Sequence, residues 1–245
     1  MIPSGTVSQE VEICKYPTLS QDFTATVLPI DKPKGWTSFG VVKKIRWLTK
    51  VKKVGHAGTL DPMATGLLIC LVGKATRQME TFMHMPKTYE GVIRLGEQTP
   101  SYDAETEVTE RTGVDHLADE DIRRATEGFL GEIEQIPPMY SALKVGGERL
   151  YKKARRGESI ERKKRNVTIT SFDVFPRQGR DVAFSISCSK GTYVRSIVND
   201  LGNALGAGGH LVALRRTKIG AFTVDEAWPL DVLEKTFAAR EEGRV

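Results

Sequence analysis

Residues 181–205 read DVAFSISCSKGTYVRSIVNDLGNAL, and the period of their apolar positions changes part-way along. Val182, Phe184, Ile186 and Cys188 alternate with alanine and serine, the period of two that gives a strand one buried face. After Gly191 the apolar residues Ile197, Val198, Leu201 and Leu205 recur at helical spacing. A strand, a glycine turn and a helix therefore follow one another within 25 residues. The rest of the chain mixes the two periods in the same way. TATVLPIDKP (24–33), 67–72, Tyr89 to Leu95, 166–175 and 209–222 read as strands. Val41, Val42, Ile45 and Leu48 form the stripe of a helix that Thr37 or Ser38 can cap. Ala75 to His84 reads as another helix, and a third begins at Asp119 with Ile122, Ala125, Phe129 and Leu130 on one face. No steady strand–helix–strand rhythm appears, so the class is α+β rather than α/β.

The chain has 245 residues, 40% of them hydrophobic and 27% charged, which suits a folded domain with a real core. The longest clean apolar run, LLICLV at 67–72, is far shorter than a membrane span and reads as a buried strand. No secretory signal is visible at the start, and the three cysteines, Cys14, Cys70 and Cys188, are too few and too scattered for a disulfide framework. A cytoplasmic location is expected. The net charge of +5 is mild, but its distribution is uneven. Six lysines and arginines fall within residues 43–53 and eight within 152–165, whereas 97–121 is acidic. Two such clusters point toward a polyanionic partner.

Motif searches remove several chemistries. Gly73-Lys74 lacks the glycine and hydroxyl residue of a phosphate loop, the four histidines stand apart, and no GxSxG elbow occurs. One candidate remains, GHAGTLDPMATG at 55–66, where a single carboxylate, Asp61, is set among small residues. Asp-Pro suits a helix N-cap followed by proline at the first helical position. It also suits a tight turn. The functional alternative has definite content: a carboxylate is ionised at neutral pH and attacks carbon without a general base, and small neighbours admit a bulky substrate.

GHAGTLDPMATGLL, DKPKGWTS (31–38), KTYEGVIRLG (87–96), PPMYSALK (137–144), CSKGTYVRS (188–196) and LVALRR (211–216) together resemble the tRNA pseudouridine synthase B family. Six blocks occur in the family's order. The resemblance implies the pseudouridine synthase fold, a mixed, largely antiparallel sheet with flanking helices and a basic thumb-like insertion at 135–165. It implies an N-terminal extension at 1–25, a catalytic domain over 26–245 and no C-terminal PUA domain, so that acceptor-stem binding should suffer. The activity implied is isomerisation of uridine 55 in the T arm of tRNA, with Asp61 as nucleophile at the ribose C1′ of a flipped-out nucleotide. By similarity Arg195 is its counter-charge, Tyr89 lies against the uracil, Tyr193 and Leu214 line the pocket, and His56 sits beside the nucleotide. Lys32 and Pro33 support the loop. Such a reaction needs no metal or other cofactor, and no obligatory protein partner is expected. Two alternatives stand beside it, a tRNA-binding or folding protein without essential catalysis and a guide-RNA-dependent relative.

Overall fold

The computed structural model describes residues 11–243, which divide into two compact units, one of residues up to Thr88 together with those from Arg215 onward, the other Tyr89–Leu214. The first ten residues of the expected extension lie outside the described ones.

In the first unit the strand Thr65–Gly73 pairs antiparallel with Ala25–Lys32 along its whole length, from Ala25 opposite Gly73 to Lys32 opposite Gly66. The short strand Glu12–Ile13 adds to the outer edge, parallel, and Val54–His56 pairs with the end of Thr65–Gly73. The later half of Gly209–Ile219 joins in parallel at Thr65 and Gly66. This explains the unbroken LLICLV run. Leu68, Cys70 and Val72 belong to a core under the helix Ser38–Thr49, with Val41, Val42, Ile45 and Leu48 against them and Trp228, Leu230 and Leu233 completing it. Leu67, Ile69 and Leu71 face the other way, into a cluster with Phe82, Ile219 and Phe222. Both faces of the strand are covered, so neither alternate position can be polar. Cys14 and Leu19 are buried in the first of these cores.

The helix Ser38–Thr49 is capped by Thr37, whose hydroxyl accepts from Gly40 N at 2.9 Å, and ends at Lys50 in the left-handed conformation. The helix expected from Ala75 begins instead as a 3-10 segment, Lys74–Gln78, and becomes α-helical only over Met79–His84.

In the second unit the strand order runs from the first half of Gly209–Ile219 through Lys87–Leu95, Asp181–Cys188 and Arg165–Val174 to Gly131–Gln135. The last two pairings are antiparallel. Val182, Phe184, Ile186 and Cys188 are all buried, with Phe172 edge-on to Phe184 at 5.9 Å. The helix Val194–Ala204 buries Ile197, Val198 and Leu201, as their spacing requires. The Asp119–Glu127 helix is one turn shorter than its pattern suggests: Leu130 falls beyond Gly128 and is 46% exposed. Between the paired strands Gly131–Gln135 and Arg165–Val174 the chain makes its basic excursion, a two-residue hairpin of Lys144–Val145 with Glu148–Arg149 and the short helix Leu150–Arg155. The fold is thus a mixed α+β arrangement with largely antiparallel pairing. Among the described residues no helix is long and apolar enough to cross a membrane.

Candidate active site

Asp61 does not cap a helix. The residues after it form a turn, closed by Ala64 N donating to Asp61 O at 3.1 Å, and the chain then enters the Thr65–Gly73 strand. Aspartate at the first and proline at the second position are favoured turn chemistry. That accounts for the shape of the loop.

The loop is clamped from four directions within the first unit. Ser38, at the start of its helix, uses its hydroxyl twice, donating to Leu60 O at 3.0 Å and accepting from Leu60 N at 2.8 Å. Gly35 N donates to Pro62 O at 2.8 Å. Lys32 is fully buried, and its ammonium donates to Trp36 O at 2.6 Å, Pro33 O at 3.1 Å and Pro62 O at 3.5 Å. It thereby ties the Pro33–Trp36 loop to the Asp61 turn. Arg216, also buried, donates from Nε to Leu67 O at 2.7 Å and from Nη2 to Gly58 O at 3.1 Å. Gly66 makes this approach possible: at φ +100° it lies so close to Arg216 that a Cβ would meet the backbone oxygen at 2.3 Å. Backbone on both sides of Asp61 is therefore fixed by side chains from distant parts of the sequence.

His56 ends the Val54–His56 strand, opposite Cys70. Its pKa is held below the ordinary histidine value, first by burial and then by the positive charge of Arg216, with the Gly58 backbone opposing them. The imidazole is thus kept neutral. Lys32, Pro33, His56 and Asp61 belong to one neighbourhood built around the turn.

The remaining expected site residues belong to the second unit. Tyr193 is the N-cap residue of the Val194–Ala204 helix; its N–H donates to Gln135 Oε1 at 2.7 Å, Gln135 Nε2 donates back to its carbonyl at 3.1 Å, and the Arg165 guanidinium stands 5.2 Å from its ring. Arg195, two residues on, is buried. Its Nη1 donates to Ser101 O at 2.9 Å and lies 3.2 Å from Asp103 Oδ2, while Nη2 donates to Tyr140 O at 2.9 Å. The guanidinium plane is therefore fixed by three partners from two loops. Tyr89 and Leu214 are buried on neighbouring strands.

Sequence reasoning missed Ser38, which it offered only as a helix cap, and gave no role to Arg216, Asp103 or Gln135. The first two lie in the quoted blocks DKPKGWTS and LVALRR, and that grouping was the available signal. Among the described residues no cluster of His, Cys, Asp and Glu could hold a metal ion.

Residues 46–194 match the N-terminal domain of the TruB family pseudouridylate synthases, and residues 195–244 match the tRNA pseudouridylate synthase B C-terminal domain. The chain belongs to the TruB family. Among its curated relatives is the tRNA pseudouridine synthase B of Thermobifida fusca, 48% identical over 219 residues that make up 86% of this chain and 75% of that protein. The corresponding TruB protein of Chloroherpeton thalassium is 48% identical over 87% of this chain and 91% of its own length. Among solved structures, a chain of a Cbf5–Nop10–Gar1 complex superposes with a TM-score of 0.69 at 30% identity. That match covers 90% of this chain but only 57% of the Cbf5-complex chain, so the TruB chain described here spans little more than half of that neighbour's length.

Proposed function

We propose that this chain isomerises uridine to pseudouridine in tRNA, at position 55 of the T arm, with the carboxylate of Asp61 acting at the ribose. The observation that carries the reading is the near-half identity to proteins named tRNA pseudouridine synthase B over most of their length and this chain's. The reaction is an internal exchange. The C1′–N1 bond breaks, the base turns, a C1′–C5 bond forms, the C5 proton leaves and N1 gains one. No second substrate is consumed. An ionised carboxylate suits the first step because it carries its own electron pair to the anomeric carbon or takes the 2′ proton.

The target nucleotide is inside a folded RNA loop and must be turned out before its C1′ can be reached, at a cost of a few kcal/mol. Phosphate contacts from the basic excursion, with Lys152, Lys153 and Arg155, offset that cost. In this reading Tyr89, Tyr193 and Leu214 receive the flipped uridine, and Arg195 supplies a fixed positive charge. His56 packs beside the nucleotide, and Lys32 with Pro33 holds the loop in which Asp61 sits. The chain works in the cytoplasm without an obligatory protein partner.

The test is incubation of the purified chain with an unmodified tRNA transcript, with no guide RNA and no other protein, followed by mapping of pseudouridine. Product at position 55 is expected. No product unless a guide RNA and partner proteins are added would replace this reading with a guide-dependent one.

A further inference from the structure

The outward side of the helix Ser38–Thr49 is not the polar surface that an amphipathic helix normally shows. Phe39 is 54% exposed and Trp47 61%, and they alternate with cations along one stripe: Phe39, Lys43, Trp47, Lys50. Their spacing of four, four and three residues puts them on the same side, opposite Val41, Val42, Ile45 and Leu48. Lys43 stands 5.2 Å from the Phe39 ring and Arg46 5.8 Å; Lys44 and Lys50 stand 5.2 Å and 4.8 Å from Trp47. Lys44 and Lys50 also pair with Glu234 and Glu241 at 3.2 Å and 3.7 Å. Lys43, Lys52 and Lys53 are exposed and have no ion pair among the described residues. From Lys32 to Leu60 the sequence contains no acidic residue.

We propose that this stripe is a stacking platform for unpaired nucleotides of the RNA substrate, those flanking the nucleotide delivered to Asp61; the proposal rests on the reading of Asp61 given above. Exposed aromatic rings interleaved with positive charge match what single-stranded RNA offers, flat bases joined by phosphates. A base stacks on a ring whatever its identity, and the adjacent lysine meets its phosphate. Duplex RNA keeps its bases stacked on each other, so it has none to lend. A second copy of this chain is a poor occupant, because a two-fold contact would set the same cations against themselves.

Position supports the assignment. Ser38, the neighbour of Phe39, is hydrogen-bonded to Leu60, the residue before Asp61. The stripe therefore begins beside the candidate turn and runs from Phe39 to Trp47 for about 12 Å at 1.5 Å per residue.

The experiment measures binding of an unmodified tRNA transcript to the full chain over a range of salt. The double variant Phe39→Ala/Trp47→Ala is expected to raise Kd about tenfold or more, from the loss of base stacking. Because the rings carry no charge, the slope of log affinity against log salt should stay the same, whereas Lys43→Gln should reduce it by about one. Trp47 is the most exposed tryptophan, so RNA should quench the protein's emission, and Trp47→Phe should abolish most of that quenching. A fully paired RNA duplex should bind the double variant and the unaltered chain alike. An unchanged Kd, an equal loss for duplex, or a dimer of the unaltered chain that the double variant dissolves would overturn the platform. Pseudouridine formation by the unaltered chain is scored separately. Product with no effect of the ring substitutions sinks the platform alone; ring-dependent binding without product overturns the Asp61 reading and with it the placement of the stripe beside a delivered nucleotide, while base stacking on the rings stands.

Discussion

Replacing Ser38 by alanine isolates what fixes the Asp61 turn. The hydroxyl bridges both polar groups of Leu60, at 3.0 Å and 2.8 Å, and both residues are buried. Alanine leaves a buried N–H and a buried C=O without that partner, each worth about 1–3 kcal/mol. Helix propensity returns about 0.5 kcal/mol, and the cap is untouched because Thr37, not Ser38, accepts from Gly40 N. The net loss is about 1.5–5.5 kcal/mol, which for a chain of this size lowers Tm by roughly 3–20 °C. Amide exchange at Leu60 should accelerate beyond the global change. If fixing the turn serves the chemistry, the single-turnover rate of pseudouridine formation should also fall about tenfold or more, since small misplacements of a reacting group are costly. A Tm within a degree or two of the unaltered chain would refute the energetic argument. A lowered Tm with an unaltered rate would refute the link between the clamp and catalysis.

Arg195→Lys should cut turnover much more than tRNA affinity, because one ammonium cannot hold Ser101 O, Tyr140 O and Asp103 as the guanidinium does; equal losses in kcat and Kd would argue against the role. For His56 the folded pKa lies below the ordinary 6.5, so as pH falls below that value the unfolded chain takes up a proton that the folded chain resists. Stability should therefore drop between pH 7 and 5, and the drop should be smaller in His56→Gln when urea midpoints are compared. In the excursion, Arg156 is already engaged by Glu148 at 2.8 Å and Glu158 at 2.7 Å. Neutralising Lys152, Lys153 and Arg155 should flatten the salt dependence of tRNA binding by about two, while Arg156→Gln changes it little; an unmoved slope in the triple variant would mean that the excursion does not touch phosphate.

What the sequence made legible was periodic. Val182, Phe184, Ile186 and Cys188 declared their strand, and Val41, Val42, Ile45 and Leu48 their helix, because burial on one face repeats with the backbone's own period. LLICLV was readable as a buried strand, though not which neighbours covered its two faces. The helix from Asp119 was overextended to Leu130 because apolar spacing continues past Gly128 while the helix does not. The clamps around Asp61 were not legible. Ser38 and Leu60 are 22 residues apart, Lys32 and Pro62 are 30, and Arg216 and Gly58 are 158. Nothing local distinguishes a serine that caps its own helix from one that reaches a distant carbonyl. Lys32 is the sharpest case: only the family resemblance gave it a place supporting the loop, since nothing local marks a lysine between Asp31 and Pro33 as fully buried with the carbonyls of Pro33, Trp36 and Pro62 in place of water. Asp61 stood out by its setting among small residues, but only the family resemblance gave it a catalytic role; the turn alone would have left it a structural residue.

The central claim is that the Asp61 carboxylate does the chemistry and the turn only presents it. Asp61→Asn changes one oxygen to an amide in a loop whose backbone clamps come from other residues, so the variant should fold and bind unmodified tRNA with little change in Kd. Single-turnover assay with position-mapped pseudouridine should then give product at uridine 55 with the unaltered chain and none with the asparagine variant. Product from the variant at a comparable rate would contradict the account.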